Sequence, residues 1–377
     1  MIKVGVDARS LSRPITGVGR YTYDMCRQLA QNPELELRLY SPAPILPEYR
    51  APFNAEQITE CQKPQNGLMR QLWGETILPY WAWKDQVDIL WGPSHRLPRI
   101  RPKQFKTVVT IHDLVWKFAG ETMKPLSRIL ERIQMPHAVK AADRVVISST
   151  STRTDLNSVL NVNFTKMDLV YPAMDIEHPA DLPRELPSID DVFTSPKFIL
   201  FVGTLEPRKN LLRLLEAYSD LSDALKTECQ LAIVGGKGWG GQNLPEVIAN
   251  LSLENHVHLM GYQNENSLQY LYSKAYILAM PSTYEGFGIP IAEAMKYSVP
   301  SIAGDNSSMV EVVGDTGLLV DADDTSALVD AISQLLSNKT LYQKLVENCS
   351  GQIIKFDAQN SANALYAVFQ KSLGNVD

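Results

Sequence analysis

The sequence predicts an α/β protein of two Rossmann-like domains, each built on a parallel sheet. Three observations predict it. Short apolar, β-branched runs alternate with amphipathic helical patterns along the chain, the signature of strand–helix–strand units. One segment, AMDIEHPADLPRELPSIDDVFTSP at 173–196, breaks the alternation; it is rich in Pro and acids and reads as a linker. The chain has 377 residues, 45% of them hydrophobic, enough to fill two cores.

In the first half, strands are predicted at Ile2–Val6, Glu36–Tyr40, Val87–Trp91, Thr107–Ile111, Arg144–Ser148 and Asp168–Val170. The second half repeats the pattern at Phe198–Val202, Gln230–Val234, Val257–Met260, Ile277–Met280, Pro300–Ala303 and Leu318–Val320. Helical periodicity falls between them, for example at Val18–Gln31, Arg128–Ala142, Leu211–Leu225, Leu268–Ala275 and Ile289–Met295. The expected domains are 1–185, 186–355, and a C-terminal helix within 356–377 that packs back on the N-terminal domain. Open parallel sheets bind ligands beyond the carboxyl ends of their strands, so two facing sheets are expected to enclose a cleft.

Composition narrows the function. Lys plus Arg is 36 against 42 Asp plus Glu, a net charge of −6, which argues against a nucleic-acid partner. The charge is uneven: residues 1–185 hold 24 basic against 20 acidic residues, and 186–377 hold 12 against 22. Much of the basic excess lies in HRLPRIRPKQFK (95–106) and in Lys124, Arg128, Arg132 and Lys140, with Trp73, Trp81, Trp83, Trp91 and Trp116 nearby in sequence. That mixture points to peripheral membrane association through the N-terminal domain, or an anionic acceptor; buried tryptophans and a solvated helix face are the plainer alternative. Cys26, Cys61, Cys229 and Cys349 are scattered, without metal-ligand spacing, which fits a reducing compartment. MIKVGVDARS carries no apolar leader stretch, so the expected location is cytoplasmic, peripheral at the inner membrane face.

Four segments could carry chemistry. PSTYEGFGIPIAEAM (281–295) runs from a strand end into a helix start. Gly286 and Gly288 allow close backbone approach, and the helix N-terminus offers N–H donors. Glu285 and Glu293 suit recognition of sugar and ribose hydroxyls. VGTLEPRKN (202–210) turns at Gly203 and brings Arg208 and Lys209 to a helix start, where two cations neutralise a diphosphate. SLSRPITGVGRY (10–21) places Gly17 and Gly19 after the first strand, and VVTIHDLVW (108–116) puts His112 and Asp113 at a strand end. Gly236, Gly238 and Gly241 match GxGxxG, but no acidic residue follows the next strand to clamp a ribose. Asp321, Asp323 and Asp324 read as a polar turn and not as a metal site.

Together, Glu285 and Glu293 with seven residues between them, the GTLEPRKN turn, the GVGRY loop and the IHD strand end resemble retaining glycosyltransferases of family 4. The variant of the motifs is similar to bacterial mannosyltransferases that extend polysaccharides, including those of lipopolysaccharide. The resemblance implies the GT-B fold and transfer of a hexose, mannose from GDP-mannose first, to a glycan or lipid-linked acceptor without metal or other cofactor. It implies that Glu293 holds the ribose, that Glu285 with the backbone of Gly286, Phe287, Gly288 and Ile289 holds the donor sugar, and that Arg208 and Lys209 bind the diphosphate at the Gly203 turn. Gly17 and Gly19 would border a phosphate, His112 the donor sugar near its reacting carbon, and Gly261 and Tyr262 the base. Where many relatives carry an Arg directly after the turn glycine this chain has Thr204, and Arg208 is expected to serve instead. A UDP-sugar transferase of the same fold and a non-catalytic nucleotide-sugar binder are the alternatives.

Overall fold

The computed structural model describes residues 1–15, 17–63, 67–176, 192–236 and 243–374. The chain divides into two units. The first comprises Met1–Lys117, Pro125–Asp175 and Phe356–Asp377; the second comprises Phe118–Lys124 and Ile176–Lys355. The sequence-based boundary at 185/186, and most of the predicted linker, lie outside the described residues.

The first unit carries seven strands: β1 (Ile2–Asp7), β2 (Leu35–Ser41), β3 (Ile58–Glu60), β4 (Ile89–Gly92), β5 (Lys106–Ile111), β6 (Arg144–Ile147) and β7 (Met167–Leu169). They form one parallel sheet in the order β3-β2-β1-β4-β5-β6-β7. β3 is absent from the predicted strands; with three half-buried residues at the sheet edge it has too little pattern to read. The order reverses between β1 and β4, so the crevice beyond those two strands is the unit's natural ligand site.

The helix Ala358–Ser372 completes this unit. Asp357 caps it, accepting the Asn360 N–H at 3.0 Å, and Met174 bridges to Asp357 in parallel fashion. Its Leu365 and Phe369 are fully buried in the β1–β5 core, and the Phe369 ring meets Trp91 edge-on at 6.0 Å.

The second unit has six parallel strands: β8 (Lys197–Val202), β9 (Cys229–Val234), β10 (Val257–Gly261), β11 (Ile277–Met280), β12 (Ser301–Gly304) and β13 (Gly317–Val320). Their order is β10-β9-β8-β11-β12-β13, the same winding, with the reversal between β8 and β11. β9 and β11 are buried throughout, which explains why they read as continuous apolar runs and not as alternating ones. The single helix predicted over 211–225 is two, Leu211–Ser219 and Asp223–Glu228; Asp220 closes the first and Ser222 caps the second, accepting from the Leu225 N–H. The segment Phe118–Lys124, expected with the first domain, belongs here, and its Phe118 ring stacks on Tyr284 at 5.3 Å.

Candidate active site

The two most specific motifs leave β8 and β11, the strands that flank the reversal of the second sheet. In open parallel sheets, ligands bind beyond the carboxyl ends of the strands at such a reversal. The loops are joined directly: the Thr283 N–H donates to the Arg208 carbonyl at 2.9 Å, and Arg208 Nη1 donates to the Tyr284 carbonyl at 3.2 Å.

That joint closes an ion-pair triad. Glu285 Oε1 lies 2.6 Å from Lys209 Nζ, and Glu285 Oε2 lies 2.8 Å from Arg208 Nη1. Glu285 and Lys209 are both buried. Burial alone would raise the pKa of the Glu285 carboxyl, but the two cations outweigh it and hold it at about 2. Burial likewise pushes Lys209 down while Glu285 pulls the other way. Arg208 also meets Glu206 at 3.1 Å. Gly203 runs beside the Lys209 stem, since a Cβ there would sit 3.4 Å from Lys209 Cε. Thr204 is exposed and takes no part in the triad.

Asn210 explains why the cations sit where they do. It adopts the left-handed conformation (φ 58°, ψ 32°) between the short turn Pro207–Lys209 and the helix Leu211–Ser219. Asn tolerates that region, and its Nδ2 donates to the carbonyls of Pro281 (3.1 Å) and Ala322 (2.6 Å), tying the β8 loop to the β11 loop and to the turn after β13. From the other side, Ser307 Oγ accepts the Glu285 N–H at 3.0 Å and Ser308 Oγ donates to the Glu285 carbonyl at 2.9 Å.

Gly286 and Phe287 are buried behind Glu285. Gly288 then turns the chain with φ 98°, a conformation a side chain resists, and caps the helix Ile289–Lys296, whose second residue is Pro290. One turn in, Glu293 Oε2 accepts from Tyr272 Oη at 2.6 Å. At the end of β10, Gly261 has φ 65° and its carbonyl accepts the Gly235 N–H, while Tyr262 is 74% exposed. Gly238 and Gly241 lie outside the described residues. Asp321 accepts from the Asp323 N–H, and Asp324 caps the following helix, so the acidic segment is a polar turn, as its sequence implies.

The remaining predicted residues lie in the first unit. Gly17 opens the helix Gly17–Leu29, and a Cβ on it would meet nothing within 4 Å. Gly19 instead packs on its own loop, where a Cβ would lie 2.9 Å from Ile15. His112 follows β5. Its Nε2 bonds the Pro93 carbonyl at 2.8 Å, which only a protonated nitrogen can do, so Nδ1 carries the lone pair. Burial, then His95, pushes its pKa down to about 3, so the ring is neutral. Tyr21 meets it edge-on at 4.5 Å. Asp113 serves locally, accepting the Val115 N–H.

Two partners here have no signature in the sequence. His95 Nε2 accepts the His112 backbone N–H at 2.9 Å, and its Nδ1 faces Glu131 at 3.4 Å. Burial disfavours charge on His95, but Glu131 outweighs it and lifts the pKa. In the sequence His95 is one letter of a basic run, and Glu131 one acid on an amphipathic helix. Tyr272, Ser307 and Ser308 are equally silent, each in an element distant in sequence from the residue it holds.

Comparison with known proteins fits this geometry. The family model for glycosyl transferases group 1 matches residues 185–351, and that for glycosyltransferase family 4 matches residues 15–178. The chain is a family 4 glycosyltransferase. The glycosyltransferase is 27% identical over 376 residues to the O-antigen chain mannosyltransferase B of Escherichia coli, covering 95% of this chain and 97% of the relative. It is 29% identical to a Campylobacter jejuni N-acetylgalactosaminyltransferase acting on a diphospho-undecaprenol acceptor, covering 82% and 84%. Among solved structures, sucrose-phosphate synthase from Thermosynechococcus elongatus superposes with a TM-score of 0.78 at 18% identity, covering all of both chains. Anabaena HepE in complex with UDP-glucose gives 0.74 at 17%, again covering all of both. At these identities the superpositions establish the fold, which is GT-B.

Proposed function

We propose that the glycosyltransferase moves a hexose, mannose from GDP-mannose foremost, to a hydroxyl of a glycan or lipid-linked acceptor with retention of configuration. The observation that carries the reading is the ion-pair triad of Glu285, Arg208 and Lys209, with Glu285 and Lys209 buried, in the loops that follow β8 and β11. Glu285 holds both cations, with Glu206 also on Arg208, and cations fixed in this way beside a helix start would stabilise the charge of a departing diphosphate.

In the reading, the bond between the sugar C1 and the diphosphate breaks with its electron pair going to the phosphate oxygen. Lys209 and Arg208 stabilise that charge. Glu285 positions both cations and, with the backbone from Gly286 to Ile289, the sugar hydroxyls. The acceptor hydroxyl attacks the face the phosphate is leaving, and its proton passes to the departing phosphate oxygen. His112, neutral and with Nδ1 as an acceptor, takes a hydrogen bond from a sugar hydroxyl. Glu293, oriented by Tyr272, holds the ribose, and Gly261 and Tyr262 border the base. Gly17, with open space beside it, and Gly19 border a phosphate. The chemistry needs no metal.

Mannose is favoured by the O-antigen relatives, whose names give that sugar. A UDP-sugar donor is the second reading, favoured by the UDP-glucose complex of a protein sharing the fold. Single-turnover assays with GDP-mannose and UDP-glucose, with product anomers assigned by NMR, test both. An α-linked product from GDP-mannose alone supports the proposal, and an inverted product overturns retention.

A further inference from the structure

We propose that His95 is the positioning residue that holds His112 for the donor sugar, and that it does so only while its own ring is neutral. With Glu131 it forms a proton-sensitive clamp on the loop after β5. The purpose of the clamp rests on the sugar contact proposed for His112 above; its dependence on a proton does not.

His112 is gripped from several elements. Its backbone N–H donates to His95 Nε2 at 2.9 Å, and its carbonyl accepts from Ser148 Oγ at 2.9 Å and Thr152 Oγ1 at 3.0 Å. Its ring Nε2 donates to the Pro93 carbonyl at 2.8 Å, and the Tyr21 ring sits edge-on at 4.5 Å. Those contacts leave Nδ1 as the ring atom able to meet a ligand. Of the partners, His95 is the one whose charge changes near neutrality.

The His112 N–H requires a lone pair on His95 Nε2, so the hydrogen of the neutral ring is on Nδ1, facing Glu131 Oε2 at 3.4 Å. A second proton would go to Nε2. Two donors would then face each other, and the bond to His112 would be lost. The loop that carries His95 is fixed: His95 is in the left-handed region (φ 62°), its N–H donates to the Thr110 carbonyl at 3.1 Å, and Gly92 has no room for a Cβ against the Arg96 carbonyl.

The charged groups around His95 come from several elements. Glu131 reaches it from the helix Pro125–Ala141, Asp113 from the clamped loop and Arg96 from its own loop. Arg96 also lies 3.5 Å from Glu131. Arg9 and Arg13, after β1, share a cavity wall with His95, Arg96 and Glu131, and Asp7 holds Arg9 at 2.7 Å. Burial opposes a charge on His95, but Glu131, aided by Asp113, outweighs it, so the ring takes its proton above the ordinary 6.5. The clamp is therefore open in acid and closes as pH rises past that raised value.

The test follows the full chain, labelled with 15N-histidine and free of ligand, by NMR across pH, beside pH profiles of kcat with GDP-mannose. We expect the His112 backbone N–H resonance to move with the His95 ring titration, and kcat to rise about tenfold on the same limb. Glu131→Gln still accepts from Nδ1 but carries no charge, so it should move the limb to lower pH. His95→Phe should lose about tenfold in kcat on the alkaline side, whereas His95→Gln, which can accept the His112 N–H and takes no proton, should recover most of that loss and flatten the limb. Melting temperatures confirm that the variants fold. A His112 N–H indifferent to the His95 titration would overturn the proposal, as would a limb left in place by Glu131→Gln and His95→Gln. Failure of the sugar contact would show separately, as an unchanged kcat in His112→Ala with the coupled titration intact in the wild type.

Discussion

The single side chain on which most depends is Lys209, buried and 2.6 Å from Glu285. Lys209→Ala removes a cation from the leaving group, and turnover should fall by roughly 100-fold or more while GDP still binds. An unchanged kcat would remove the diphosphate assignment. Glu285→Gln acts on stability as well. The folded carboxyl is held at about 2 against an ordinary 4.5, so the folded state binds fewer protons than the unfolded chain across that window. The triad's contribution is therefore full above about 4.5 and is lost as pH falls toward 2. The melting temperature of the wild type should exceed that of Glu285→Gln near neutrality, and the gap should close in acid; a gap independent of pH would contradict the ion pairing. Tyr272→Phe should weaken GDP binding severalfold by releasing Glu293, as read by calorimetry. Of the proposed site residues, Glu285, Glu293, Arg208 and Lys209 are legible in the sequence because they stand in two short motifs. What holds them is not: Tyr272 and Ser307 contribute one hydrogen bond each from other elements, and a lone Tyr or Ser has no local pattern.

At the scale of elements, Asn210 and the C-terminal helix are the informative cases. Asn210 combines a left-handed backbone with two carbonyl contacts between loops. Asn210→Ala should cost about 2–3 kcal/mol and lower kcat as the cations lose their platform, whereas Asn210→Gly should recover only the backbone part. Equal stability of the two variants would show that the carbonyl bonds contribute nothing. The helix Ala358–Ser372 places fully buried Phe369 against Trp91. Phe369→Ala should destabilise by about 3–5 kcal/mol in chemical denaturation, and a loss below about 1 kcal/mol would contradict its place in the core. The strands that are easy to read, such as β9 and β11, are buried on both faces. β3 escapes because three half-buried edge residues make no pattern, and the break after Ser219 escapes because helical periodicity carries across a capped joint.

For the whole molecule, two sheets with one winding order explain why motifs far apart in sequence converge. In the second unit, β8 and β11 flank the reversal, and the two motifs of the proposed donor site leave their carboxyl ends. Among the described residues no helix is long and apolar enough to cross a membrane. The most direct measurement is a thermal-shift series of the full chain against GDP, UDP, ADP and TDP with a metal chelator present. Ligands that bind the native state raise its melting temperature by mass action. The account predicts a clear rise with GDP alone, abolished by Glu293→Ala; a rise with UDP alone would contradict the mannosyl donor, and no rise with any nucleotide would contradict the donor site itself.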